Sequence, residues 1–223
     1  ATEHAALSEG RASLINFGGW FGTWQGIAWS NALGVDDSEG IVTGAVIGGL
    51  TGMTAAILLT TKKEIRPGYA TTVNFGGLWG SWFALCAAMI ADVQKNETVW
   101  GIVGAGGVAG VATTAIAAQN TRMSRGRARL INIAGVVGTV FGLGIAVLAE
   151  VDDDQALFAI MGAGSVAGLL AGRSATKNYD HGLHIDDDQR FGLLGMPYGQ
   201  VIKETKWTPP VRMVKVPLIY LNF

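Results

Sequence analysis

Three carboxamide side chains recur at one spacing: Asn16, Asn74 and Asn132 lie 74 − 16 = 58 and 132 − 74 = 58 residues apart. A carboxamide both donates and accepts hydrogen bonds. Inside an apolar helix it most often holds a neighbouring helix, and we favour that interpretation. The alternative is a polar ring at one mouth of a channel, with the three amides facing one another around an axis along the membrane normal.

Metal-binding and nucleophilic chemistry have weaker candidates. The segment Asp180–Asp188 contains His181, His184 and Asp186, whose side chains could bind Zn²⁺. Their spacing matches no metal-site signature, so we interpret the segment as a charged linker and predict no metal. Cys86 is the one cysteine, and no base is placed to activate it as a nucleophile. With no phosphate loop and no Ser/His/Asp arrangement, the sequence predicts no enzyme and no cofactor.

A second set of equivalent positions carries Arg11, Tyr69 and Arg127, since 69 − 11 = 58 and 127 − 69 = 58. Residues of these types commonly reach the headgroups at a membrane surface. We predict such anchoring, with a site for an anionic lipid or a partner protein as the functional alternative. Pigment or quinone contact by tryptophan is a further, less favoured hypothesis, because Trp is common at membrane interfaces. The tryptophans also fail to recur, since the third copy has Val136 and Val140 where the first has Trp20 and Trp24.

The composition of the chain indicates a membrane protein. Only 15% of its 223 residues are charged and 49% are hydrophobic, whereas soluble domains carry about a quarter charged residues. The net charge of −1 provides no basic field for nucleic acid. We therefore expect the lipid bilayer as a partner and exclude nucleic acid.

Six apolar runs are long enough to cross a bilayer, which takes about 20 residues. They are Leu14–Val35, Ile41–Thr61, Thr71–Ala91, Val99–Ala118, Leu130–Ala149 and Ala156–Ala171. The period of 58 residues joins them in pairs. The sequence thus predicts an all-α membrane protein with six transmembrane helices. These would form three tandem two-helix repeats in a pseudo-threefold bundle, followed by a short β-containing C-terminal tail.

The same period sets the predicted domain boundaries. We expect an N-terminal segment at 1–13, a six-helix membrane domain at 14–175, and an extramembrane tail at 180–223. The repeats cover about 10–67, 68–125 and 126–179.

Small residues recur every four positions in the apolar runs. This glycine-zipper or GxxxG pattern places them on one helix face, where helices can approach closely. The candidate packing or pore residues are Gly18, Gly22, Gly26, Gly76, Gly80, Gly138 and Gly142, beside the three asparagines.

The loops separate by charge. Loops within the repeats are acidic, with Lys95 as their one basic residue, and the loops on the other side carry most of the Lys and Arg. The positive-inside rule then places the basic side and both termini in the cytoplasm if the membrane is an inner membrane. An outer-membrane location is the alternative, because that rule does not govern it.

The decapeptide Gly10–Gly19, GRASLINFGG, returns as GRARLINIAG at Gly126–Gly135. In this pattern the chain resembles glycine-rich, internally repeated membrane proteins of the bacterial envelope. The resemblance covers most of residues 9–175 and implies a bacterial source and a membrane location; it supplies no activity or site. We predict a non-enzymatic structural or scaffold subunit of a bacterial membrane assembly, with a channel or translocation component as the alternative. Bulky helix faces and the C-terminal tail would join copies into a homo-oligomer or a larger complex.

Overall fold

The computed structural model describes residues 8–61, 63–121 and 123–180, which form six α-helices and no strand. The helices are α1 (Glu9–Ala32), α2 (Ser38–Thr60), α3 (Pro67–Ile90), α4 (Asn96–Ala117), α5 (Arg125–Leu148) and α6 (Asp154–Ala175). The all-α prediction is confirmed for this part of the chain. The predicted β-containing tail lies, apart from its first residue, outside the described residues.

The odd-numbered helices begin four or five residues before the predicted spans. Polar capping explains the extra turn. The hydroxyls of Ser8 and Ser124 accept hydrogen bonds from the backbone N–H three residues later, at 3.3 and 3.2 Å. Pro67 occupies the first turn of α3, where its missing N–H costs no helical hydrogen bond. The starts Glu9, Pro67 and Arg125 therefore replace the predicted Leu14, Thr71 and Leu130.

Five of the six helices, α2 to α6, are long and apolar enough to cross a membrane. The first helix is not among them. It begins with Glu9 and Arg11 and contains the polar residues Asn16, Gln25 and Asn31, which lower its hydropathy. Five of the six predicted spans are thus confirmed as helices that are long and apolar enough to cross a membrane.

Consecutive helices pack in pairs, α1 with α2, α3 with α4, and α5 with α6, and each pair is an antiparallel hairpin. The turn after each odd-numbered helix passes through one residue with positive φ: Gly34 (75°), Asp92 (52°) and Glu150 (50°). This left-handed conformation ends a helix and lets the following N–H bond back to the last turn. One such bond runs from the Val35 N–H to the Ser30 carbonyl, at 3.0 Å.

The three hairpins are joined in a row. Helix α1 packs against α3 and α4, and α3 in turn packs against α5 and α6. No helix of the first hairpin packs along a helix of the third. An ion pair between Glu9 and Arg125 joins α1 to α5 at their N-terminal ends. The predicted pseudo-threefold bundle is therefore wrong for the described residues, because the apolar lengths of α1 and α5 do not meet.

Candidate functional site

The seam of each hairpin is a backbone-to-backbone contact. In the first hairpin it pairs Gly18 with Gly52, Gly22 with Gly48, and Gly26 with Gly44. A Cβ atom added at Gly22 would overlap the carbonyl oxygen of Gly48, and one added at Gly48 would overlap that of Gly22. The two helices therefore lie closer together than they could if either residue carried a Cβ atom.

The other two seams follow the same plan. A Cβ at Gly80 would overlap the carbonyl oxygen of Gly106, and a Cβ at Gly138 would overlap that of Gly164. Gly142 faces the backbone at Ile160 and Met161, where an added Cβ would lie 2.8 Å from the Ile160 carbonyl oxygen. Gly76 instead faces the side chain of Thr114, whose hydroxyl donates to the Gly110 carbonyl at 2.7 Å. The structure thus places the seven predicted glycines on hairpin seams.

The three asparagines lie in three different environments. Asn74 donates from Nδ2 to the Ser13 hydroxyl at 3.1 Å, joining α3 to α1. Asn132 is buried and accepts from Trp79 Nε1 at 2.6 Å, joining α5 to α3. Asn16 is exposed on α1. The described asparagines therefore form no ring: two of them join hairpins, and the third faces outward.

Tryptophan supplies the other contacts between hairpins. Trp82 Nε1 donates to the Ser165 hydroxyl at 2.9 Å, and that hydroxyl also lies 2.6 Å from Thr139 Oγ1. Ser165 is fully buried. Ring pairs cross both contacts between hairpins: Trp24 meets Trp100 at 5.8 Å, and Trp82 meets Phe158 at 6.3 Å between centroids. Sequence reasoning missed this role. The available signal was the 58-residue separation within each set of partners, since 82 − 24 and 158 − 100 both equal 58.

The predicted headgroup contacts bond within their own hairpins. Arg11 Nε donates to Thr60 Oγ1 (3.3 Å), the Tyr69 hydroxyl to the Ala115 carbonyl (3.2 Å), and Arg127 Nη1 to the Asp180 carboxylate (3.2 Å). Each bond joins the start of an odd-numbered helix to the last turn of its partner helix or to the chain beyond it. The three side chains therefore hold the two helices of each hairpin together at its basic end.

One polar side chain between the first and second hairpins has no hydrogen bond. Both amide atoms of Gln25 are buried, and neither has a partner among the described residues. An added Cβ at Gly107 would lie 2.7 Å from Gln25 Nε2, and one at Gly104 would lie 3.4 Å from Gln25 Oε1. The buried Ser81 hydroxyl, which the same Cβ at Gly107 would overlap, also lacks a partner among the described residues. Such groups destabilise the fold unless something bonds to them.

A groove of about 730 Å³ runs between the first two hairpins. Glycine, Leu, Ile, Val and Phe make up most of its wall, and Lys63, Tyr69 and Gln119 lie at the basic end. The lining offers no pair of acid and base groups. The apolar wall of the groove can contact an acyl chain whose polar end lies near Lys63.

The described residues contain no group of three His, Cys, Asp or Glu side chains that could hold a metal ion. The weak metal candidates His181, His184 and Asp186 lie outside them. Cys86 is buried in the contact between α3 and α6, where its sulfur would lie 3.6 Å from a Cβ added at Gly162.

Comparison with known proteins gives no match: no family model, no curated protein and no solved structure is similar to this chain.

Proposed function

We propose that this chain is a non-enzymatic structural subunit of a bacterial membrane assembly, with six spans arranged as three tandem two-helix repeats. Besides α2 to α6, the proposal counts α1 as a membrane span. Its 24 residues give about 36 Å of helix, enough to cross a hydrocarbon core of about 30 Å. It also packs through Gly18, Gly22 and Gly26 against α2, the most exposed of the apolar helices.

The repeat is supported by equal helix boundaries. The odd-numbered helices begin at Glu9, Pro67 and Arg125 and end at Ala32, Ile90 and Leu148, in steps of 58 residues. The left-handed turn residues at 34, 92 and 150 keep the same step. Equal helix boundaries and turns, with a glycine seam in each hairpin, support three copies of one hairpin with one orientation in the membrane.

The observation that carries the structural function is the use of polar side chains inside the helices. Asn74 bonds to Ser13, and Trp79 bonds to Asn132, each across two helices of different hairpins. The glycine seams hold the two helices of each hairpin together, and these bonds fix the hairpins against one another. The channel alternative needs three asparagines facing a common axis, and no observation on the described residues favours it.

In this proposal the basic ends of the hairpins face the cytoplasm across an inner membrane. Exposed side chains such as Val46, Leu58 and Leu170 contact lipid or other subunits. An acyl chain fills the groove between the first two hairpins. Fractionation of inner and outer membranes, with thiol labelling of cysteines placed in single loops, tests this location and orientation.

Reconstitution of the full chain into dye- and ion-loaded liposomes tests the structural function. We expect membrane integration, recovery in a complex larger than one chain on extraction with its native lipids, and no leak above protein-free liposomes. The triple variant Asn16→Leu, Asn74→Leu, Asn132→Leu should weaken folding and assembly without changing permeability. The opposite result would be conduction by the wild type and none by a triple variant that still assembles. That result would overturn the proposal in favour of the channel.

A further inference from the structure

Successive hairpins contact each other through equivalent positions. Phe21 of α1 packs at Gly77, where an added Cβ would lie 3.0 Å from its ring. Trp79 of α3, at the position 58 residues after Phe21, packs at Gly135, which is 58 residues after Gly77. The ring pairs Trp24–Trp100 and Trp82–Phe158 repeat in the same way. Each contact therefore joins a forward face, which includes residues 21 and 24 or their equivalents, to a rear face, which includes residues 77 and 100 or their equivalents.

The forward face of the third hairpin has no partner within the described residues. On α5 it consists of Ile133, Val137, Val140 and Phe141, all exposed. Val137 is 60% exposed, whereas its equivalent Phe21 is 9% exposed. Phe141 is 70% exposed, whereas its equivalent Gln25 is 9% exposed.

In the part of the chain that the structure describes, the rear face of the first hairpin is uncovered as well. It consists of Asn16, Gly19, Thr23 and Val42, and all but Gly19 are exposed. Gly19 is the equivalent of Gly77 and Gly135, which receive Phe21 and Trp79. A Cβ added at Gly19 would meet only the Met53 Cβ, at 3.7 Å, so its notch is empty.

We propose that the forward face of α5 in one copy docks on the rear face of the first hairpin in a second copy, so that copies join head to tail. This inference rests on the proposed structural function and names the partner. By the period of 58, Val137 would enter the notch at Gly19 and Val140 would meet Val42. Arg129 is exposed and equivalent to Ser13, and it would reach Asn16 as Ser13 reaches Asn74.

A second copy is the occupant because the two uncovered faces are the two halves of a contact that the chain makes twice internally. Lipid could cover the apolar face of α5, but a lipid has no surface like the notch at Gly19, beside Asn16. A second copy supplies that notch. The ion pair of Glu9 with Arg125 joins only the ends of α1 and α5, and both faces remain exposed along their length. A head-to-tail contact is heterologous, so it closes into a ring or extends as a filament according to its rotation.

Cross-linking between two single-cysteine variants tests the contact. Val42→Cys and Val140→Cys, each in a Cys86→Ser background, are co-expressed as full chains and treated in native membranes with a short bifunctional thiol reagent. We expect a two-chain product only when both variants are present. Products of equal yield from either variant alone would overturn the head-to-tail arrangement. So would a chain carrying both cysteines that reacts only within itself, because that result would mean closure of the threefold bundle.

Filling the notch provides the second test, with a matched control. Gly19→Leu should lower the cross-linking yield about tenfold, since overpacking removes the close approach. Thr54→Leu should leave it unchanged, because residues 54, 112 and 170 are exposed in all three hairpins. An unchanged yield with Gly19→Leu would overturn the docking. A large complex without the cross-link between residues 42 and 140 would overturn the docking alone. Single chains that conduct ions would overturn the structural function.

Discussion

The seams within hairpins and the contacts between hairpins hold helices together by different means. At a seam, such as Gly22 against Gly48, backbone meets backbone and no side chain intervenes. Between hairpins, tryptophan, asparagine and serine side chains fill the space, and Trp79 can stand where Phe21 does. The centre of the seam is glycine in all three hairpins, at 22, 80 and 138 and at 48, 106 and 164, whereas the contact between hairpins keeps shape and position and permits several residue types.

The strictness of the seam predicts the largest effect. Gly22→Ala should lower the free energy of unfolding by about 3 kcal/mol, since its Cβ would overlap the backbone carbonyl of Gly48, which cannot rotate away. Titration of the purified protein in mixed micelles with a denaturing detergent, followed by helical circular dichroism, measures the change.

Gly144→Ala is the matched control for this substitution. Nothing lies within 4 Å of a Cβ at Gly144, and its equivalent in the first hairpin is Ala28. We expect a change below about 0.5 kcal/mol. Equal losses for Gly22→Ala and Gly144→Ala would show that the loss does not come from the seam, because helix propensity alone favours alanine at both positions.

The contacts between hairpins predict an intermediate effect at one asparagine and none at its equivalent. Asn132→Leu removes the acceptor of the Trp79 indole N–H and leaves that group buried without a partner. We expect a loss of about 1–2 kcal/mol in the same unfolding assay. Asn16→Leu should leave the stability of a single chain unchanged because Asn16 is exposed. Similar losses at both positions would contradict the distinction between an internal contact and an end of the row.

The sequence predicts the seams better than the contacts between hairpins. Glycines four apart in an apolar run indicate close helix approach, whatever the neighbour is. Tryptophan gives no such signal, because lipid interfaces and helix contacts both favour it. In the sequence, Val136 and Val140 therefore indicate only that two tryptophans do not recur. The structure places both valines, exposed, on the last hairpin. The period likewise predicts that the units are equivalent, but it cannot predict whether the last unit meets the first.

A smaller, opposite effect is expected at Gln25, whose amide has no hydrogen bond among the described residues. Gln25→Leu removes two buried amide atoms that lack hydrogen bonds, so we expect a gain of about 1 kcal/mol. The matched change Phe83→Gln, at the equivalent position of the next hairpin, should lower stability. A loss with Gln25→Leu would instead show that the amide binds a water molecule or another group in the membrane.

The smallest expected effect lies in the turns that end the odd-numbered helices, outside both kinds of contact. Glu150 has a φ of 50°, and Gly34, its equivalent in the first hairpin, has a φ of 75°. A side chain at such an angle places Cβ close to the following carbonyl, whereas glycine has no such conflict. Glu150→Gly should therefore raise stability by about 0.5 kcal/mol, after the greater freedom of glycine in the unfolded chain is subtracted. Gly34→Ala should lower it, and since nothing lies within 4 Å of a Cβ at Gly34, that loss would report backbone strain alone. If both substitutions changed stability in the same direction, the turns would differ in more than their residue type, and the equivalence of the three hairpins would fail at its least packed point.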